Sequence, residues 1–228
     1  MTGIEKNNYI VSWSGGKDSC MALYEGLQRG CKVSHLVNFI SNDEKRVRFH
    51  GTNAELIKQQ GAAMGIEVVQ YETSWDGYER DFKAGVRVLL PSGVRGMIFG
   101  DIYLDVHKEW VERVCGEIGI EALEPLWGQP TDELLDRFIQ LGFEAVIVGI
   151  NSKYMDEKWV GRMVDSSFRD YLKVNKIDPC GENGEYHTVV INGPIFSRRL
   201  SLTTGDVISK NEYRLLDIKE ASLEKAAA

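Results

Sequence analysis

Apolar residues along this chain gather into short runs separated by polar stretches, and the two alternate with a regular rhythm. Runs at residues 9–13, 33–39, 68–71, 97–99 and 145–150 are bounded by Gly, Asn, Ser or Asp, the pattern of buried strands. Between them, apolar positions recur with helical spacing over residues 20–28, 54–64, 78–89, 108–118 and 132–141. Several of these segments close on glycine, as helix C-termini do. Strand and helix in alternation predict an α/β domain built on a parallel sheet with helices on both faces. The rhythm weakens after about residue 151, where glycines at 181 and 184 and the Gly193-Pro194 pair mark a loop-rich section. This predicts a larger core domain over residues 1–150, the one that would bind any ligand at the sheet's edge, and a smaller C-terminal region over residues 151–228. The polar, alanine-ending tail from residue 220 onward reads as a frayed helical end.

Length and composition narrow the class. A chain of 228 residues can bury a substantial core, and 43% hydrophobic with 27% charged residues is ordinary for a globular protein. No run approaches the roughly 18 apolar residues of a membrane span. Cys20, Cys31, Cys115 and Cys180 are scattered without a CxxC pair, so they read as reduced thiols rather than a zinc or redox motif, and the cytoplasm is the expected compartment. A net charge of -7 argues against broad attraction to nucleic acid or to an anionic membrane. The short basic stretch at residues 45–48 reads as a solvated loop.

The sharpest chemical signal is Ser14-Gly15-Gly16-Lys17-Asp18-Ser19, placed between the first strand and the first helix. Paired glycines let backbone N–H groups crowd around an anion, the helix offers its N-terminal donors, and Lys17 adds a cation. The loop departs from both common nucleotide signatures: Val11 stands where GxxxxGK requires glycine, Asp18 replaces the Ser or Thr after the lysine, and GxGxxG is absent. Phosphate or pyrophosphate suits it; γ-phosphate hydrolysis and dinucleotide redox chemistry do not. Asp18 has two readings, a helix cap or a Mg²⁺ ligand.

A second polar cluster, Pro179-Cys180-Gly181-Glu182-Asn183-Gly184-Glu185-Tyr186-His187-Thr188, leads into an apolar strand at 189–191. On composition alone it is an exposed turn. Asp101 follows a strand, at the carboxyl edge where open α/β sheets bind ligands, and reads as a Mg²⁺ or acceptor contact more readily than as a cap. Phe39 ends the second strand, where it either borders a nucleotide through its backbone or simply fills the core. His50, beside Arg46 and Arg48, is an ordinary solvated loop histidine on this reading. His187 offers a base, which an attacking carboxylate does not need, and Trp127 reads as packing at a turn.

Together, the first loop, Phe99-Gly100-Asp101-Ile102, Pro125-Leu126-Trp127-Gly128, the 178–185 segment and Gly193-Pro194-Ile195-Phe196 resemble the diphthine-ammonia ligase family, within the PP-loop ATP pyrophosphatases. The resemblance runs from about residue 9 to 196. It implies a HUP-like nucleotide domain, ATP and Mg²⁺ as cofactors, and cleavage between the α- and β-phosphates. The acceptor would be diphthine, a modified histidine on elongation factor 2, which is adenylated and then amidated as ammonia displaces AMP. Nucleotide would then meet Ser12, Ser14, Gly15, Gly16, Lys17, Asp18, Ser19, Phe39 and Gly100, with Asp18 and Asp101 on the metal. Gly181, Glu182, Asn183, Gly184, Glu185 and His187 would face the acceptor, and Lys17, Asp18, Asp101, Glu182 and Glu185 would form the catalytic set. Family members more often carry GEGGE followed by an aromatic and an acid, where this chain has Asn183 and His187. The implied partners are ATP, AMP, ammonia and elongation factor 2, with a homo-oligomer left open and neither membrane nor nucleic acid favoured. Two rival readings are a PP-loop enzyme acting on another small molecule or on RNA, and a non-catalytic ATP or AMP sensor.

Overall fold

A computed structural model describes residues 7–41, 54–74 and 76–224. The basic stretch at 45–48 and His50 lie outside them. Strand β1 (Asn8–Ser12), helix α1 (Lys17–Gln28), β2 (Lys32–Ser41), α2 (Ala54–Met64), β3 (Glu67–Thr73), α3 (Tyr78–Leu89), β4 (Gly96–Ile98), α4 (Asp105–Ile118) and β5 (Glu121–Leu123) alternate as the pattern predicts. All strand pairings among them are parallel, in the order β3-β2-β1-β4-β5. Side-chain alternation sorts this sheet into two faces. Ile10, Val37, Phe39 and Met97 meet Phe82 and Val86 of α3 and Val111 and Val114 of α4, while Val11, Leu36 and Ile98 join a core with Leu23 of α1 and Ile57 of α2. The expected parallel sheet with helices on both faces is therefore present.

The remainder is α5 (Thr131–Gln140), β6 (Glu144–Asn151), α6 (Ser166–Asn175), β7 (Tyr186–Asn192), β8 (Leu200–Lys210) and β9 (Tyr213–Leu223). Its strands form a separate antiparallel sheet in the order β7-β6-β9-β8. Two expectations change here. The strand at 145–150 exists but belongs to this second sheet, so a division at residue 150 runs through the end of β6. An apolar run buried on both faces looks alike in either kind of sheet, which is why its pattern did not distinguish them. The tail from residue 220 is not helical up to Leu223: it completes β9, with Glu220 opposite Thr203 and Leu223 opposite Leu200. Cross-strand pairing with the preceding strand β8 overrides its weak local preference. Among the described residues no helix is long and apolar enough to cross a membrane.

The second sheet packs on the α1 and α2 side of the first: α1 meets β7, and α2 meets β8 and β9. One apolar core runs continuously from Val11 and Leu23 through Ile57 to Ile147, Val189 and Ile218. This contact carries β7 to the loop that follows β1.

Candidate active site

In the order β3-β2-β1-β4-β5 the chain leaves β1 to one side and returns at β4 to the other, so a crevice opens at the carboxyl ends of β1 and β4. The 14–19 loop fills one wall. Gly16 is the N-cap residue of α1 and Asp18 lies in its first turn without capping it, which removes the cap reading of Asp18. Gly15 holds a left-handed φ of +81°, a conformation that favours glycine. The Ser14 hydroxyl donates to Ser19 Oγ at 3.1 Å and accepts the Gly16 N–H at 3.3 Å, while Ser19 donates to the Gly16 carbonyl at 3.0 Å. A helix leaves its first N–H groups without partners of its own. Here the Lys17 N–H donates to Thr188 Oγ1 at 3.0 Å and that of Cys20 to the Gly16 carbonyl at 3.1 Å. The N–H groups of Asp18 and Ser19 belong to the same terminus.

Gly100, expected at the nucleotide, acts through close approach. A Cβ there would come within 3.0 Å of the backbone of Asp18 and Ser19, so only glycine lets the turn after β4 lie against the first turn of α1. The next residue, Asp101, faces the same crevice, and its Oδ1 accepts a hydrogen bond from His107 Nδ1 at 3.1 Å. That pairing, opposed by burial, raises the His107 pKa.

Lys17 is 4% exposed, and its ammonium does not reach into open solvent. Nζ donates to Asp18 Oδ2 at 2.8 Å and to the carbonyl of Cys180, and lies 4.8 Å from the Tyr186 ring centroid. Burial works against its charge, yet the surrounding Asp18, Tyr186 and Cys180 outweigh it and hold the pKa well above the usual lysine value. Burial likewise pushes the Asp18 carboxyl up, with Lys17 pulling it back down. The second polar cluster is thus wrapped onto the first.

Within that cluster, Asp178 organises the backbone: Oδ1 accepts from the Cys180 N–H at 3.2 Å and Oδ2 from the Glu182 N–H at 2.9 Å. Gly181 and Gly184 turn the chain, and Glu185, buried, accepts from Asn183 N at 3.0 Å and Nδ2 at 3.3 Å. Tyr103 closes the arrangement from the β4 side, its hydroxyl donating to Asp178 at 3.1 Å and accepting from Asn183 Nδ2 at 2.9 Å. Glu182 takes a hydrogen bond from the Ile102 backbone, but burial, and then the charges of Asp18 and Asp101, push its pKa up to about 7. Beside this cluster opens a cleft of about 650 Å³ whose lining includes Tyr103, Gln129, Thr131, Lys176, Asp178, Asn183 and Glu185.

The structure therefore brings together Lys17, Asp18, Gly100, Asp101, Gly181, Glu182, Asn183, Gly184 and Glu185. Two expected members stand apart. His187 belongs to β7 and, by strand alternation, points away from the face on which Tyr186 and Thr188 meet Lys17. It stacks on Tyr213 at 6.2 Å, and burial followed by the Lys17 charge lowers its pKa to about 4, so it is neutral at pH 7. Phe39 lies with its ring in the core, stacked on Phe82 at 5.4 Å and beside Tyr71 and Tyr78. Ser12 ends β1 opposite Val37, below the loop. Two residues at the site carried no sequence signal of their own, Tyr103 and Gln60, the latter a polar residue inside a helix, and Tyr186 and Thr188 were read only as part of the second polar cluster. A glycine-rich turn marks itself in sequence, whereas a side chain that meets it from a distant strand does not.

For Mg²⁺, the donor chemistry is suitable. The charges of Asp18 and Asp101 raise the cost of ionising Glu182, a concentration of negative charge that a cation relieves. Among the described residues no three His, Cys, Asp or Glu side chains are gathered to hold a metal unaided. Mg²⁺ usually takes one or two carboxylates and completes its shell with phosphate and water.

Fold and crevice define an α/β protein of the phosphate-loop type, with the loop after its central strand facing an acidic polar cluster. Models of the diphthamide synthase N-terminal and C-terminal domains match residues 7–122 and 130–223, and the chain belongs to the diphthamide synthase family. It is similar to the diphthine–ammonia ligase of Schizosaccharomyces pombe, at 26% identity over 93% of this chain and 39% of that protein. It is similar also to those of Bos taurus and Homo sapiens, each 24% identical over 86% of this chain and covering 83% and 82% of theirs. The chain thus spans well under half the length of the fission-yeast relative and most of the mammalian ones. Among solved structures, it is similar to a predicted subunit of tRNA methyltransferase from Methanocaldococcus jannaschii, at 16% identity and a TM-score of 0.46 over 82% of this chain and 98% of that one.

Proposed function

We propose that this chain is an ATP-dependent amide-forming ligase that adenylates an acceptor carboxylate with release of pyrophosphate, the acceptor being diphthine on elongation factor 2. Family membership and the names of the relatives support the ligase class. The observation that carries the chemistry is the meeting of the two polar clusters at Lys17, whose ammonium touches Asp18 and the Cys180 carbonyl at once. A phosphate held by the loop amides and Lys17 would lie beside the turn that bears Glu182 and Glu185. The acceptor carboxylate oxygen attacks the α-phosphorus, the bond to the β-phosphate breaks, and pyrophosphate leaves; ammonia then attacks the acyl carbon, AMP departs, and the surplus proton passes to solvent.

In this reading the loop amides and Lys17 stabilise charge on the departing pyrophosphate. Mg²⁺ on Asp18 and Asp101 would neutralise phosphate charge. Glu182, with its pKa near neutrality, is suited to accept a proton from ammonium at physiological pH. The 650 Å³ cleft beside Asn183 and Glu185 is the place for the acceptor side chain. Four free cysteines, three of them buried, agree with a cytoplasmic setting. The test is product analysis with ATP, Mg²⁺, ammonium and the diphthine-bearing factor. AMP, pyrophosphate and a new amide in equal amounts are expected; ADP and phosphate would refute the proposal.

A further inference from the structure

Helix α2 turns Leu56, Ile57 and Ala63 into the core, and among them stands a polar residue that is wholly buried, Gln60. A primary amide in such a place is tolerated only when its donors and acceptor find partners. Gln60 finds three. Trp13 Nε1 donates to its Oε1 at 2.9 Å, and its Nε2 donates to the carbonyl of Gly15 at 2.9 Å and to that of Val190 at 2.8 Å. An indole N–H can only donate and a carbonyl can only accept, so these partners fix which end of the amide is which. The Gly15 carbonyl takes a second hydrogen bond, from Val190 N at 2.9 Å. One carbonyl of the phosphate loop is thus held from two directions, by α2 and by β7.

We infer that Gln60 is a positioning residue for the phosphate loop. A trans peptide points its C=O and its N–H to opposite sides. Holding the Gly15 carbonyl inward therefore turns the Gly16 N–H outward, to the side of the Ser14 hydroxyl it meets at 3.3 Å. Gly15 has the backbone freedom to flip, with φ at +81°, and Gln60 and Val190 remove that freedom. A loop amide aimed in advance needs no rearrangement when an anion arrives. Gln60 touches neither nucleotide nor acceptor on this view, and the inference rests on the reading that the loop binds the phosphates of ATP.

Two variants separate positioning from packing. Gln60→Glu keeps the acceptor for Trp13 and loses both donations, whereas Trp13→Phe loses only the indole donor and leaves the Gly15 clamp in place. Calorimetric titration with ATP and Mg²⁺, alongside thermal melting, should show ATP affinity weakened about tenfold or more in Gln60→Glu. Trp13→Phe should be destabilised yet bind ATP as the wild type does. Equal ATP affinity in wild type and Gln60→Glu overturns the inference, as does an equal loss of affinity in Trp13→Phe. If Gln60→Glu does not fold, the side-chain amide resonances of Gln60 in isotope-labelled wild type decide: they should shift on ATP saturation, and unchanged resonances overturn the inference. A wild type without saturable ATP binding would instead sink the underlying reading of the loop, and this inference with it.

Discussion

The two sheets of this molecule make their contributions to the crevice by different means. The parallel half supplies backbone: helix-terminal amides, a left-handed glycine, and a turn after β4 that must be glycine at residue 100 to lie against α1. The antiparallel half supplies side chains and fixed partners: Thr188 and Val190 on β7, and the loop before β7 with Glu182 and Glu185. Anion binding by backbone tolerates little change in main-chain geometry and much change in surrounding side chains. On the proposed function, proton handling and acceptor choice depend on individual carboxylates. Damage to the first half should therefore strike nucleotide binding, and damage to the second should strike the transfer.

Lys17 joins the halves, and its removal has the largest expected effect. Lys17→Ala should lower pyrophosphate release by about 10²- to 10³-fold, as for loss of a group that stabilises transition-state charge. Because Lys17 is buried against Asp18, the same change should also cost stability, about 1–3 kcal/mol. Adding Asp18→Asn should recover part of that stability in a denaturant titration without recovering turnover. A Lys17→Ala variant as stable as wild type would show that Lys17 does not hold the halves together.

Glu182→Gln should remove most amide formation while ATP affinity stays level or rises, since a negative charge leaves the neighbourhood of Asp18 and Asp101. Loss of ATP binding would place the 178–185 loop at the nucleotide and dissolve the division between halves. The same variant carries a pH signature. A carboxyl whose folded pKa is raised from 4.5 to about 7 gives its full stability below the lower value and loses it as pH rises through the upper. Wild type should therefore lose stability relative to Glu182→Gln between those limits, by at most about 3 kcal/mol.

Gly100→Ala tests the backbone half. Its Cβ would meet the Asp18 carbonyl carbon at 2.9 Å, so an expected cost of about 1–3 kcal/mol should be accompanied by weaker ATP binding. The smallest effect is expected at His187. Its pKa, lowered from 6.5 to about 4, means that stability is present above the upper value and lost as pH falls through the lower. Substitution by Gln should flatten that acid limb in melting curves taken across the interval, and an unchanged limb would show that another group governs it.

The same contrast decides what could be read from sequence. In the parallel half, strand and helix are local, and the helices at 54–64 and 78–89 coincide with α2 and α3. The three-residue β5 is too short to carry periodicity, β8 is mostly exposed and β9 mostly half-buried, so no clear apolar face marked them. The 14–19 loop was legible as a candidate anion site because a glycine pair in a strand-to-helix turn lets backbone amides converge. The 178–185 cluster was visible as chemistry, but only the family resemblance joined it to Lys17, since sequence distance conceals the contact made through β7. For Phe39 the core reading holds for the ring, and for His187 proximity along the chain did not say which face of its strand it takes.

The most direct measurement is the stoichiometry of one reaction. ATP with Mg²⁺, ammonium and the diphthine-bearing elongation factor should give AMP, pyrophosphate and acceptor amide in equal amounts, with none of the three formed by Lys17→Ala at the wild-type rate. ADP and phosphate, or AMP and pyrophosphate without any amide on the factor, would contradict the assignment of these two joined clusters to amide formation.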